Sequence, residues 1–164
     1  MSVSTLNYHL LAIPAYYIFS VVPHAYASGL LANAGYKVNN ASPKASLSPN
    51  AVKGKVPDAV FGKYQRAEAA QSNNFEQMPI FAVAVLASLF AERSTATGLG
   101  RAVANGDATG LTTFIGAWFA VRTMYVVAYV SISEHSKSPI RSLLWVTGTV
   151  LAFYQIYKAA ALLG

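Results

Sequence analysis

Arg122, Glu76, Arg141 and the tyrosines Tyr125 and Tyr129 are the residues of this 164-residue chain that ordinary apolar packing does not explain. Arg122 lies midway through the apolar run from Leu111 to Ser133, and a charge at the centre of a membrane span costs about 2.5–3.5 kcal/mol on insertion scales. Something must offset it. Counted inward at 1.5 Å per residue, Arg122 lies about 16 Å from Ser133 and Glu76 about 15 Å from Arg66. The two depths match, so an Arg122–Glu76 ion pair is the simplest expectation. At about 100° per residue, Arg66, Ala69, Asn73 and Glu76 share an arc of roughly 80°, and Arg122, Tyr125 and Tyr129 one of roughly 60°. Two polar faces meeting there would form either a buried salt bridge that fixes helix packing or a binding chamber, and the residues alone leave both open.

Arg141 is the second anomaly. It follows Pro139 at the start of a helical pattern, where the positive end of the helix dipole disfavours a cation. Its partner is an anion or, the reading this residue alone favours, the headgroup layer. The chain has no cysteine and only three scattered histidines, which excludes a disulfide framework, a thiolate nucleophile and a cysteine zinc site. No metal site is expected, and any sulfur chemistry must arrive with a ligand. His9 and His24 sit in an uncharged span and read as packed or hydrogen-bonded residues, with a ligand or proton-relay role the sharper alternative.

The elements that must hold these residues follow from composition. Hydrophobic residues make up 54% of the chain and charged residues 11%, against about 25% charged in soluble domains. An all-α integral membrane protein of one domain over residues 1–164 is therefore expected. Four spans, at about residues 6–32, 65–92, 111–133 and 139–163, are separated by a polar loop at 33–64 and two short connections, the first of which carries Gly98, Gly100, Gly106 and Gly110. The first span lacks a positive n-region and is too long for a signal-peptide core; Pro14 and Pro23 are expected to kink it. Trp118 and Trp145 read as packing or interfacial residues.

The net charge of +6 is spread between apolar runs rather than gathered in one patch, which speaks for topology and against nucleic acid. Lys37, Lys44, Lys53, Lys55 and Lys63 crowd the first connection, and Lys137 and Arg141 the third. By the positive-inside rule both connections face the cytoplasm, with both termini on the opposite side.

Three ordered motifs are familiar. Arg66-Ala-Glu-Ala-Ala-Gln-Ser-Asn73-Asn-Phe-Glu76-Gln-Met-Pro79-Ile-Phe81 resembles the second-helix signature of the MAPEG family, the membrane-associated proteins of eicosanoid and glutathione metabolism. Arg122-Thr-Met-Tyr125-Val-Val-Ala-Tyr129 resembles the R-x-x-[YH]-x-x-x-Y of its third helix. Pro139-Ile140-Arg141-Ser142 resembles the P-I-R-S opening of the fourth helix in the prostaglandin E synthase branch.

This resemblance implies a four-helix bundle, homotrimeric, in the endoplasmic reticulum or a related membrane, binding glutathione between neighbouring protomers near the cytoplasmic face. By position, Arg66, Asn73, Glu76, Arg122, Tyr125, Tyr129 and Ser142 would hold the tripeptide or brace the groups that do. Arg141 would favour the thiolate. Ala69 stands where many glutathione-using members carry an arginine. Trp145 and Tyr125 replace a tyrosine and a histidine of the prostaglandin branch, which argues against that synthesis specifically.

The implied activity is glutathione transfer or peroxidation, or glutathione-assisted isomerisation or ring closure, on a lipophilic substrate. The alternatives are a non-catalytic lipid-binding scaffold and a glutathione-independent isomerase or cyclase. A membrane carrier is disfavoured because no matching halves with interrupted helices occur.

Overall fold

The computed structural model describes residues 6–98 and 107–164, and four of its helices are long and apolar enough to cross a membrane. Helix α1 (Tyr8–Asn33) starts at Asn7, whose side chain accepts from Leu10 N at 3.0 Å. It stops at Gly35, whose φ of 79° places it in the left-handed region while Tyr36 N donates back to Leu31 O at 3.0 Å. Glycine there ends the helix without the Cβ penalty that other residues incur. Pro14 and Pro23 both lie inside this helix.

The connection that follows is more ordered than its polar composition suggests. It contains two short helices, α2 (Pro43–Ser46) and α3 (Pro49–Val52), each with a proline in its first turn. Tyr36 OH donates to Ser46 O at 2.6 Å, and Tyr64 OH donates to Leu47 O. Val52 and Val56 are buried with Ala27, Leu31, Tyr64 and Ala67. Few apolar residues suffice to fold this segment onto the ends of α1 and α4, because each meets an apolar surface already present there.

Helix α4 spans Asp58–Gly98, beginning at Asp58 rather than at residue 65. Asp58 in its first turn suits the positive end of the helix dipole, and Tyr64 and Ala67 are held in the buried cluster just described. Helices α5 (Leu111–Ser131) and α6 (Pro139–Leu163) complete the bundle, with a 3-10 turn at His135–Lys137 between them. The second connection lies partly outside the described residues, including Gly100, Arg101 and Gly106.

Helix α4 is central and packs against α1, α5 and α6. The core at mid-bundle is aromatic: Phe81 stacks on Trp118 at 5.0 Å between centroids, and Tyr16 meets Phe81 at 4.9 Å and Trp118 at 5.5 Å. Trp118 is thus a packing residue, as its sequence setting suggested. Outward, Leu143, Val150, Phe153 and Tyr157 on α6 are exposed, the apolar surface expected of helices solvated by lipid.

At the end away from the α1–α4 connection, buried polar groups join three elements. Glu92 Oε1 accepts from Thr109 N at 3.0 Å and Thr109 Oγ1 at 2.6 Å, while Gln155 Nε2 donates to Ser88 Oγ at 2.9 Å and to Thr109 Oγ1 at 3.1 Å. Leucine at position 92 would strand two buried donors, and a buried unsatisfied group costs about 1–3 kcal/mol. Glu92→Leu is accordingly expected to lower the unfolding free energy by that amount, read as a lower denaturant midpoint in detergent. An unchanged midpoint would show that the network is dispensable.

Candidate functional site

The offset for Arg122 comes from a different residue than the sequence suggested. Arg122 is fully buried, its Nε donates to Asn74 Oδ1 at 3.1 Å, and its Nη2 donates to the same oxygen and to Asn73 O at 3.3 Å. Its guanidinium carbon also lies 4.4 Å from the Tyr125 ring centroid. Glu76 is exposed on this chain, with Ser72 Oγ donating to it at 3.4 Å, so the expected Arg122–Glu76 pair does not form. Asn74 and Glu76 lie about 3 Å apart along the helix axis, so the difference is chiefly one of rotation. At about 100° per residue, Asn74 and Glu76 point about 200° apart, and Asn74 has the azimuth that faces α5.

Two further features let the guanidinium lie in the core. Tyr16 OH donates to Asn74 O at 3.2 Å, tying α1 to the same turn of α4. Gly148 of α6 passes so close that an added Cβ would sit 3.7 Å from Arg122 Cδ and 3.9 Å from the Trp118 ring. A side chain longer than alanine there would have to displace one of them.

Tyr125, held from behind by Arg122, forms part of a hollow of about 340 Å³ between α4, α5 and α6. Asn73 Nδ2 donates to Tyr125 OH at 2.6 Å, Tyr129 lies 5.4 Å from Tyr125 between centroids, and Arg141 Cζ stands 4.7 Å from the Tyr129 ring centroid. Ser138, Ser142, Trp145 and Val146 complete the lining. Because the Tyr125 hydroxyl accepts from Asn73, its own hydrogen is left to donate into the hollow.

The first turn of α6 gives the hollow its electrostatic character. Ser138 at its N-cap makes no side-chain capping hydrogen bond, but Pro139 has no N–H and the N–H groups of Ser138 and Arg141 donate to His135 O and Ser138 O, so the peptide groups of this turn contribute the positive end of the helix dipole rather than a set of free donors. Arg141 adds a full charge beside them. A cation at the positive end of a helix is unfavourable on its own, and an anion in the hollow would be attracted by both.

Of the residues expected at a site, Asn73, Tyr125, Tyr129, Arg141 and Ser142 meet around this one hollow. Arg122 stands behind its wall. Arg66 turns away, its Nε donating to Val130 O at 3.1 Å near the end of α5, and Glu76 lies on the outer face of α4. Asn74 and Trp145 were not assigned to the site from sequence. Asn74 adjoins Asn73 and differs from it only in azimuth. Trp145 stands four residues after Arg141, the spacing that shares a helix face, and this was the available signal.

His24 Nδ1 and Glu68 Oε1 lie 2.8 Å apart, linking α1 to α4. The histidine is hydrogen-bonded, as its setting in an uncharged span implied. Among the described residues no group of three His, Asp or Glu side chains could hold a metal ion.

The family model described as "MAPEG family" matches residues 13–161 of the chain. No curated protein and no solved structure gives a significant match.

Proposed function

Because the chain belongs to the MAPEG family, we propose that it is a membrane-bound, glutathione-dependent enzyme acting on a lipophilic substrate, with Arg141 as its catalytic cation. The observation that carries this reading is the placing of Arg141, at the positive end of the α6 dipole, beside four hydroxyl-bearing residues, Tyr125, Tyr129, Ser138 and Ser142, in one hollow of about 340 Å³. That volume lies within the roughly 300–1,000 Å³ of small-molecule sites. A donor-rich, cation-lined hollow fits a tripeptide with carboxylates, amides and an acidic thiol.

Bound glutathione would supply a thiol that loses its proton to water and attacks the electrophilic atom, forming the new bond to sulfur as the leaving group departs with its electron pair. The chain's part is electrostatic. Arg141 would favour the anionic sulfur over the thiol, since an adjacent positive charge favours the charged form of an acid. Tyr125, fixed by Asn73 and by the Arg122 guanidinium against its ring, would donate its hydroxyl hydrogen to an acceptor on the ligand. Ser142 and Ser138 offer further hydroxyls at the same end. Tyr125 is buried, and exclusion of water there strengthens its interaction with a ligand.

Assembly into a homotrimer belongs to the same reading, and two features support it. Glu76, inside the second span, is exposed on a single chain, and an ionised carboxylate facing lipid would cost about 2.5–3.5 kcal/mol. The same face of α4 carries Ser72, Pro79, Val83 and Phe90, also exposed. Further copies of the chain would cover that stripe and bring Glu76 and Arg66 to a shared site, as the family resemblance implies. The lysine-rich α1–α4 connection supports a cytoplasmic position for this end, in the endoplasmic reticulum or a related membrane.

Calorimetry of the purified protein in detergent tests the central claim. Binding of glutathione at millimolar ligand, with turnover of a model electrophile only when glutathione is present, is the expected result. Absence of binding would favour the lipid-binding scaffold or a glutathione-independent isomerase.

A further inference from the structure

A second, narrower hollow of about 130 Å³ lies between α5 and α6 at the end away from the α1–α4 connection. Lys158 is the one charged residue that lines it. This lysine belongs to a membrane span and is half-buried, and a lysine near the end of such a helix ordinarily runs its stem outward until the ammonium meets water. Here the side chain crosses to α5 instead. Its Nζ packs on Gly110 so closely that an added Cβ there would come within 2.7 Å of it, and it stands 5.7 Å from the Tyr154 ring centroid.

The position is electrostatically adverse for a cation. Gly110 is the residue from which α5 starts, so the ammonium sits at the positive end of the α5 dipole, although the negative end of its own helix, at Leu163, is only about 7.5 Å further along. The carboxylates at this end are otherwise engaged: Glu92 accepts from Thr109, and Asp107 accepts from Thr112 N at 3.1 Å. Neither ion pair among the described residues includes Lys158. An anion from outside the chain would relieve the repulsion.

The rest of the hollow shows which kind of anion fits. Gly110 and Thr113 share its outer end with Lys158, whereas Phe114, Ala117 and Leu151 line it further in. Ala117 follows Gly110 by seven residues and Leu151 precedes Lys158 by seven, so both helices carry the apolar lining about 10 Å toward the middle of the bundle. A cation at the rim and apolar walls below it match an amphiphile with an anionic head, not a water-soluble anion.

We propose that this hollow holds an anionic phospholipid, with its phosphate at Lys158 and the Thr113 hydroxyl and the first part of one acyl chain along Ala117 and Leu151. A zwitterionic headgroup would bring a second cation beside the ammonium and gain less. One lysine near a membrane surface corresponds to a roughly fivefold preference for the anionic lipid. The site lies at the opposite end of the bundle from Arg141, and neither it nor the glutathione reading requires the other.

Native mass spectrometry of the full chain, released from micelles doped with equal amounts of dioleoylphosphatidylglycerol and dioleoylphosphatidylcholine, tests this. The wild-type chain is expected to retain the glycerol lipid over the choline lipid roughly fivefold. Lys158→Gln should abolish that preference, and so should Ala117→Leu, which keeps the charge and fills the apolar part. Lys53→Gln, at an exposed position in the α1–α4 connection, should leave it unchanged, and millimolar inorganic phosphate should not displace the lipid.

Equal retention of the two lipids by the wild-type chain, or a preference that survives Lys158→Gln, would overturn the proposal. A preference that survives Ala117→Leu would reduce the site to headgroup attraction without a seated chain, and displacement by phosphate would make it a site for a free anion; either result overturns the lipid assignment.

Discussion

Leucine at position 74 is expected to abolish stable folding of the bundle, lowering stability by about 3–5 kcal/mol, the cost of leaving a buried charge without its partner. Asn74 Oδ1 accepts from both Nε and Nη2 of the fully buried Arg122. Leucine has the same branching and number of heavy atoms, so the loss would be chiefly one of acceptors. Hydrogen bonds to charged groups each contribute about 1.5–3 kcal/mol, which makes the larger estimate consistent with two of them. The consequence reaches the hollow, because a displaced guanidinium would no longer hold the Tyr125 ring or the Asn73 carbonyl.

Aspartate at the same position provides the control. Asn74 Nδ2 has no hydrogen-bond partner, so Asn74→Asp removes nothing the fold uses and places an anion beside Arg122. Thermal unfolding in detergent should give Asp at or above the wild-type midpoint and Leu far below it. If Asp proved as damaging as Leu, the geometry of the amide rather than its acceptor oxygen would be what the bundle requires.

Arg141→Ala is expected to lower turnover roughly tenfold at pH 7, with the deficit closing as pH rises. A free thiol titrates near 8.5, so about 3% is ionised at pH 7; a neighbouring cation lowers such a value by about one to three units. Thiolate population then changes by roughly 8- to 30-fold, and the lower basicity of the activated sulfur takes back part of that gain. The sign is fixed by the charge: the wild-type rate should rise with pH through a lower apparent value than that of the variant. Above about pH 9.5, where a thiol of ordinary acidity is already mostly ionised, the two rates should converge.

A pH–rate profile from about 6 to 10, bracketing the ordinary thiol value, measures this directly. Arg141→Lys, which keeps the charge and loses the planar fork, should recover much of the neutral-pH rate. A deficit of constant size at every pH would assign Arg141 to binding or structure instead. The stacking of Arg141 on Tyr129 at 4.7 Å makes that outcome concrete, since alanine there would also uncover the Tyr129 face.

The four spans were legible because lipid imposes the same requirement along the whole of a spanning helix: its backbone bonds are satisfied internally and its length is set by bilayer thickness. That requirement is one-dimensional, so runs such as 111–133 reveal themselves without any knowledge of neighbours. The start of α4 at Asp58 was not legible. Residues 58–64 carry little apolar periodicity, and what supports their helix is burial of Tyr64 and Ala67 against the end of α1 and the α1–α4 connection, a contact that joins residues far apart in the chain. The order within residues 34–57 is hidden for the same reason, since Val52 and Val56 acquire their partners only in three dimensions.

Residue types and axial depth determined part of the site: which residues are costly in a membrane, that Arg122 needs an offset, and that the faces carrying Asn73 and Tyr125 with Tyr129 could meet; that Arg141 and Ser142 join them was implied by the family resemblance. Helical periodicity supplies height along an axis and relative azimuth within one helix. It does not supply how far each helix is turned about its own axis against its neighbours. Only the packed bundle fixes that rotation, through the fit of Phe81 on Trp118 and of Gly148 beside Arg122. The same rotation brings Asn74 rather than Glu76 to the guanidinium, sends Arg66 to the Val130 carbonyl, and leaves the Trp145 ring facing the hollow.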